Sequence, residues 1–513
     1  MQKLLDYQVT HVETLKRVMG AHRRALDASD TGTGKTYTAV AMCMELGLKP
    51  LIVCPVAVIH SWRTVLEYFE APYYGITNYE SMHNCKYFRP KATDKVKCPF
   101  IQRLSVENTK VNQESYATKE IEIFEKGEKS LHTYRWRRIP DDFVLIFDEA
   151  HRCKNPRTLN SVLLYTASRV EDMRILMLSA TICDKPEKFA IAGYVLGLYK
   201  PVKRAKNWIE KVDEGHTHAM QGVHAALFDD HGSRMRIKEL GALFPDNKIT
   251  ADCFDMDNAQ EIEEQYRIIE EEVARLKNKE DNSGCALSRI LYARMRIEQL
   301  KVPTIIKHAK QHIEAGASVA IFVNFTMTLR TVAEELKTTC MIWGEQTPVE
   351  REQNIEKFKT DKETVIVCNI RSGGVGISLH DTIGDRRRVA LISPSDSAQD
   401  IIQTLGRIHR ANGKTKVEQF VLYCKGTVEE RVCENMRDKI RNISAINDGA
   451  TDTYKIEGLM DDVEEDEGEG QTELGFTLSR FFTLQSRKQR LEEDLVGINT
   501  ELQSLQAILD MLQ

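Results

Sequence analysis

The sequence predicts an α/β chain with two parallel-sheet regions, helical insertions and a C-terminal heptad helix. Three observations carry this. Two regions alternate short Val/Ile-rich runs with helical patterns, as parallel sheets covered by helices do. Between them, "NAQEIEEQYRIIEEEVARLKNKE" (258–280) has a 3.6-residue period and no strand signal. At the end, Leu484, Leu491, Leu495, Ile498, Leu502, Leu505, Leu509 and Leu512 keep nearly unbroken 4-3 spacing.

The elements follow in chain order. In region 1–200, "PLIVCP" (50–55), "DFVLIFDEAH" (142–151) and "RILMLSAT" (174–181) read as buried strands. A polar insert at about 83–140 interrupts them. Inside it, "TKEIEIFEKGEKSLHTYRW" (118–136) alternates around Lys126-Gly127 as a β-hairpin would. The hairpin is either a surface decoration or an arm whose Tyr134, Arg135, Trp136, Arg137 and Arg138 touch a substrate. Residues 201–310 are expected to be mainly helical. In region 311–445 the strands are "SVAIFVNF" (318–325), "TVIVCN" (364–369), "RRVALISP" (387–394) and "VEQFVLYCK" (417–425). Residues 446–473 read as an acidic linker. Residues 474–513 read as a coiled-coil helix that pairs with itself or a partner, or packs back on the chain.

Composition bounds the class. The chain has 513 residues, 42% hydrophobic and 29% charged, which suits two or three ordinary globular domains. No apolar run is long enough to span a membrane, and the charged N-terminus has no signal-like core, so an intracellular, soluble protein is expected. That means the nucleus or another DNA-containing compartment if the source is eukaryotic or viral, and the cytoplasm if it is bacterial or phage. Twelve cysteines contain no C-x-x-C pair, which argues for reduced structural thiols. Cys85 and Cys98 share the polar insert but fall short of a metal-ligand set. Net charge is −5, yet "DDVEEDEGEG" (461–470) holds seven acids, and without them the rest carries +2. Net charge therefore does not exclude a local basic groove for nucleic acid.

Two motifs carry chemistry. "DTGTGKT" (30–36) has Ser29 where the strict phosphate-loop pattern has Gly, but keeps the working part. Thr31, Gly32, Thr33 and Gly34 let backbone N–H groups close around phosphate oxygens. Lys35 reaches the β- and γ-phosphates, and Thr36 can hold Mg²⁺. "VLIFDEAH" then puts Asp148 and Glu149 at the C-terminal end of a strand, where a parallel sheet presents ligands. Asp148 is expected to position Mg²⁺ and Glu149 to polarise the attacking water. ATP and Mg²⁺ are the cofactors this pair implies. In the second region, "QTLGRIHR" (403–410) sets Arg407 and Arg410 three residues apart, suited to stabilising a transferring phosphoryl group from across a cleft. "NIRSGGVGISLHD" supplies Arg371 and Ser372 beside that cleft, the kinds of group that track nucleic-acid phosphates.

The ordered blocks "DTGTGKT", "LIVCPVAVIHSW" (51–62), "ITNYE" (76–80), "DEAH" (148–151), "LSAT" (178–181), "RSGGVGISL" (371–379) and "QTLGRIHR" resemble a superfamily 2 helicase over about 400 residues. "DEAHRCKNPRT", "ISPSDSAQDIIQTLGRIHR" and "GTVEERV" (426–432) resemble the Swi/Snf-type DNA-dependent ATPases. "SRMRIKELGALFP" (233–245) and "RMRIEQLKVPTIIKHAKQHI" (294–313) are similar to that family's annealing-helicase branch. The resemblance implies two RecA-like lobes with ATP between them and nucleic acid, most often double-stranded DNA, across both. It implies that Gln8 contacts adenine, that Ser179 and Thr181 couple hydrolysis to lobe movement, and that Gly374 and Gly376 line the second lobe's side. It places Gln403, Arg407 and Arg410 at the γ-phosphate, and Pro55, Trp62 and Asn78 in blocks facing the nucleic-acid backbone. "LSAT" departs from the Thr-Gly-Thr usual in remodelling motors, the insert at 83–140 has no counterpart in the family, and no histone-reading appendage is evident.

The expected function is an ATP-dependent motor translocating on double-stranded DNA and remodelling DNA or protein–DNA complexes in repair, recombination or transcription. A strand-separating DNA or RNA–DNA helicase is the alternative. A nucleotide-switched adaptor recruited through residues 474–513 is the alternative of another class.

Overall fold

The structure is a computed structural model that describes residues 4–104, 133–156, 158–218, 220–228, 230–240, 244–278, 283–370, 377–395, 397–448 and 456–457. The hairpin's turn, the loop with Arg371, Ser372, Gly374 and Gly376, most of the acidic linker, and residues 474–513 lie outside these.

The chain opens with helix α1 (Asp6–His22), whose Val12, Leu15, Val18 and Met19 are buried at helical spacing. It stops at Arg23, which takes a left-handed φ of 57° and donates its N–H to the Met19 carbonyl. Then come β1 (Arg24–Asp27), α2 (Lys35–Glu45), β2 (Lys49–Cys54), α3 (Ile59–Phe69) and β3 (Gly75–Asn78). The insert adds β4 (Lys86–Phe88), β5 (Lys95–Lys97), β6 (Ile101–Leu104) and β7 (Thr133–Trp136), before β8 (Phe143–Asp148), β9 (Arg174–Leu178) and β10 (Gly232–Ser233). Apart from the β6–β7 ribbon these form one sheet, ordered β10-β1-β9-β8-β2-β3-β4-β5. It is parallel except where β4 and β5 extend the edge.

The second sheet is ordered β13-β14-β12-β15-β16-β11-β17, from β11 (Asn247–Phe254), β12 (Ser318–Val323), β13 (Met341–Ile342), β14 (Val365–Asn369), β15 (Arg388–Ile392), β16 (Val417–Cys424) and β17 (Ile456–Glu457). Both sheets are covered on both faces, which is why their strands read as continuous apolar runs. Along β8, for example, Leu145 and Phe147 join one core while Val144 and Ile146 join the opposite one. Along β12, Ala320 and Phe322 face one core and Val319, Ile321 and Val323 the other. The α/β class with two parallel-sheet lobes is therefore borne out.

Both sheets belong to one unit, Met1–Phe254, Val302–Tyr423 and Glu430–Met460. A second unit comprises Asp255–Lys301, Cys424–Glu429 and Asp461–Gln513. Its described part includes the helix pair Ala259–Asn278 and Ser283–Leu300. There the buried Lys301 ammonium pairs with Glu429, whose carboxylate also accepts from the Tyr266 hydroxyl at 2.9 Å and the Cys424 N–H at 2.7 Å.

Some segments differ from the sequence reading. Residues 247–254, inside a stretch expected to be mainly helical, form β11. The alternation of Ile249, Ala251 and Cys253 into one core was the overlooked signal. Residues 446–448, assigned to the linker, complete the helix Glu429–Asp448, and Ala445 and Ile446 are buried in the first lobe's core. In the insert, β7 pairs with β6, and Tyr134 and Trp136 are buried in that same core, not free on an arm. The Trp136 indole donates to Thr166 Oγ1 at 3.3 Å. Arg135, Arg137 and Arg138 are exposed.

Candidate active site

The turn between β1 and α2 is the first wall. Gly32 and Gly34 both take φ of 94°, a conformation that a side chain strains. Each is also crowded: a Cβ on Gly32 would lie 2.6 Å from Cδ of Arg410, and one on Gly34 would collide with the Gln8 amide. Gln8 Nε2 donates to the Thr33 carbonyl at 2.9 Å, so the start of α1 grips the turn. Ser29, the departure from the strict pattern, is fully buried, and its hydroxyl accepts the Met235 N–H at 2.9 Å. A glycine could not make that bond. Lys35 Nζ lies in the turn's concavity, donating to the carbonyls of Ser29 at 2.8 Å and Asp30 at 3.2 Å. Burial lowers its pKa, opposed by Asp27, Glu149 and Asp148. Thr31 and Thr36 are partly exposed at the mouth of the turn.

The second wall is the end of β8. Asp148 Oδ2 accepts the Trp62 indole N–H at 2.8 Å, and its Oδ1 accepts the Glu149 N–H at 2.9 Å. Glu149 sits at φ 55°, ψ 50°, a left-handed conformation uncommon outside glycine and frequent at functional sites. The two partly buried carboxylates split. Burial and then the charge of Glu149 push Asp148 above the usual carboxylate range. Burial would also raise Glu149, but His151, Lys35 and Arg407 outweigh it and hold Glu149 low. His151 Nδ1 lies 3.3 Å from Glu149 Oε2 and 3.2 Å from Ser179 Oγ, tying the acid to the "LSAT" strand end.

The helix Ala398–Leu405 of the second lobe closes the site. Gln403 Nε2 donates to Glu149 Oε2 at 3.0 Å. One turn earlier, Gln399 Nε2 donates to the Thr181 carbonyl at 3.1 Å, while its Oε1 accepts from Lys154 Nζ at 2.6 Å. Lys154 also pairs with Asp184 at 2.8 Å. Arg407 is buried, with burial the main cause bringing its pKa to about 10. Arg410 is brought to about 9 by burial and then by Arg407. Both guanidinium groups stay charged at neutral pH. Arg410 Nε is buried without a hydrogen-bond partner, directly over Gly32. Three cations around a backbone cradle, one with an unused buried donor, suit a polyphosphate anion. Thr36 and Asp148 provide the oxygen donors that Mg²⁺ takes.

A buried ion network braces the cradle from behind. Arg234 Nη2 pairs with Asp30 at 2.6 Å, and Arg234 Nε pairs with Asp448 at 2.9 Å. Arg236 adds a second bond to Asp448 at 2.8 Å. The last residue of the helix that leaves the second lobe is thus linked to the residue that opens the phosphate turn.

The sequence reading and the structure differ most on nucleic-acid contacts. Trp62 was expected to face a nucleic-acid backbone, but it is fully buried with its N–H on Asp148. It positions an acid and offers nucleic acid no surface. Pro55 and Asn78 are also buried, and Asn78 Nδ2 donates to Glu80 at 2.6 Å. Ser179 and Thr181 are wholly buried between the strand end and Gln399. Gln399, Lys154, Arg234 and Asp448 were not singled out as site residues. Gln399 lies four residues before Gln403, on the same helical face, and that spacing was the available signal.

Residues 1–184 match the model for "Type III restriction enzyme, res subunit", and residues 300–412 match "Helicase conserved C-terminal domain". Protein L364 of Acanthamoeba polyphaga mimivirus, assigned by name to the ATP-dependent RNA helicases, is 33% identical over 478 residues, covering 89% of this chain and 85% of that protein. The human SWI/SNF-related matrix-associated actin-dependent regulator of chromatin subfamily A member 1 is 30% identical over 25% of this chain and 12% of its own length. The ISWI chromatin-remodeling complex ATPase ISW1 of Saccharomyces cerevisiae is 24% identical over 62% of this chain and 30% of its own. The solved Sulfolobus solfataricus SWI2/SNF2 ATPase core in complex with dsDNA aligns over 82% of this chain and 88% of that one, at 15% identity and a TM-score of 0.34, too low to argue from. Among the described residues no helix is long and apolar enough to cross a membrane. With its two helicase-family matches and a relative aligned along nearly its whole length, the chain belongs to the superfamily 2 helicases with Snf2-like ATPase character, and is a nucleic-acid-dependent ATPase.

Proposed function

We propose that this chain is an ATP-driven motor that translocates on double-stranded DNA and remodels DNA or protein–DNA complexes. The observation that carries the reading is the bond from Gln403 to Glu149, with Arg410 over Gly32. Residues of the second lobe complete a site whose acids and phosphate turn belong to the first, so hydrolysis depends on how the lobes meet.

In this reading residues 1–200 with β10 form the first lobe and 311–445 with β11 the second, the helix pair Ala259–Asn278 and Ser283–Leu300 is a protrusion, residues 449–473 are an acidic linker and 474–513 a docking helix. Gln8 recognises adenine, and the backbone of 31–34 with Lys35 holds the phosphates. Thr36 and Asp148 would hold Mg²⁺, which when bound neutralises phosphate charge. Glu149, kept ionised by its neighbours, orients water and accepts its proton, while Gln403 fixes the carboxylate's direction. Arg407 and Arg410 stabilise charge on the transferring group. Thr181, held by Gln399, and Ser179, held by His151, pass the state of the site to the lobe contact. Gly374 and Gly376 line the second lobe's side, and Arg371 and Ser372 contact the nucleic-acid backbone.

Similarity to a regulator of chromatin and to a chromatin-remodeling complex ATPase favours duplex DNA. The name of the mimivirus relative favours a second reading, a strand-separating helicase acting on RNA. Hydrolysis stimulated by blunt duplex DNA without strand separation supports the first. Unwinding of a tailed RNA or RNA–DNA duplex, with no response to blunt DNA, supports the second.

A further inference from the structure

Two histidines and an aspartate meet on the first lobe, away from the nucleotide turn. His22 is the last residue of α1, and Asp230 and His231 precede β10. One potential ligand atom from each lies within 4.8 Å of the others. His22 Nε2 is 2.8 Å from Asp230 Oδ2, and the two imidazole centroids are 4.4 Å apart, tilted by 36°. Arg17 stands 3.5 Å from the other carboxylate oxygen, which leaves Oδ2 facing the rings. His231 Nδ1 is buried without a hydrogen-bond partner. An imidazole nitrogen without a hydrogen-bond partner can offer its lone pair to a metal, and three potential ligand atoms converge here.

The backbone carrying these donors is fixed on both sides. Arg23 caps α1 immediately after His22. The His231 N–H donates to Leu227 at 2.8 Å, and its carbonyl accepts from Leu26 of β1 at 3.1 Å. Ligands whose backbone is already held by hydrogen bonds need little reorganisation to bind.

We propose that His22, Asp230 and His231 form a binding site for a divalent transition ion of the zinc class. Two imidazoles and one carboxylate suit zinc, cobalt or nickel, whereas magnesium and calcium prefer all-oxygen sets. The half-exposed carboxylate gives the ion a path in and leaves its remaining positions to water. The site closes the far end of a seam whose near end holds the phosphate turn. His11, also on α1, bonds Ser233 at 2.8 Å and Asp27 at 3.0 Å, and Arg234 reaches Asp30. A bound ion would clamp α1 to the β10 segment.

The test is cobalt(II) titration of the full chain, free of nucleotide and in excess Mg²⁺, read by its visible absorption and repeated with Zn²⁺ by calorimetry. The expected result is one tight equivalent of cobalt that zinc displaces, and a melting temperature raised by Zn²⁺. His22→Gln lies on a partly exposed helix end and should leave the fold intact. It should weaken binding by more than the 10–100-fold that even outer-sphere partners are worth and abolish the thermal shift. Asp230→Asn should do the same, while His60→Gln, an exposed histidine on α3, should change neither. No tight equivalent in the wild type, or His22→Gln binding as the wild type does, would overturn the proposal.

Discussion

Gln403 donates its side-chain amide to Glu149 across 3.0 Å, joining residues 254 positions apart in the sequence. Glu149 stands at the end of a strand of the first sheet, and Gln403 on a helix of the second lobe. In the proposed function, the acid that activates water is thus aimed by the opposite lobe.

Glu149→Gln should keep the fold and ATP binding and lose about 10²–10⁴-fold in turnover, the usual worth of a positioned general base. Gln403→Ala should lose less, because His151 still approaches the carboxylate. Steady-state kcat beside equilibrium ATP binding checks both. Weakened binding with unchanged kcat would place them outside the chemistry.

Arg410→Ala should lower kcat by about 10³-fold or more, as removal of an arginine that stabilises the transferring group does. ATP affinity should fall far less. Arg410→Lys should not restore the rate, since a point charge lacks the planar fork. Single-turnover hydrolysis separates this from a binding defect.

Asp184 links pH to stability. Burial would raise its pKa, but the charge and hydrogen bond of Lys154 outweigh that and hold it below the ordinary value. A carboxyl depressed in the folded state stabilises fully above its unfolded value, near 4, and loses that stability as pH falls through the folded value. Asp184→Asn should therefore lower stability at neutral pH and flatten the loss in acid. Urea unfolding at a series of pH values reads both.

Arg234→Ala takes the guanidinium from Asp30 and leaves Asp448 with Arg236 alone, and should cost about 3 kcal/mol. Because Asp30 opens the phosphate turn, ATP affinity should fall as well. Asp448→Ala should reproduce the stability loss, being the common anion of Arg234 and Arg236. Thermal melts with and without ATP give the measurement.

Much of this site was legible before the fold was known, because its chemistry is local. Gly32 to Thr36 are contiguous, and Asp148 and Glu149 end an apolar strand. What the sequence hid was what tertiary packing decides. Trp62 sits in a block expected at the nucleic-acid face, but its indole is buried on Asp148, 86 residues away. Arg234 and Asp448 lie far apart in the chain, with no periodicity relating them. β11 was overlooked because its alternation is short and flanked by helical patterns, and the tail of the helix Glu429–Asp448 because the charged stretch beyond it dominates the composition.

The most direct test of the motor reading is steady-state ATP hydrolysis at one fixed salt concentration, without nucleic acid and with single-stranded DNA, blunt duplex DNA, forked DNA or RNA. Salt is held constant because phosphate contacts make nucleic-acid affinity depend on it steeply. Basal turnover should be low and blunt duplex DNA should stimulate it strongly, and Glu149→Gln should lose both. Stimulation by RNA or single strands alone, with none by duplex DNA, would contradict that reading.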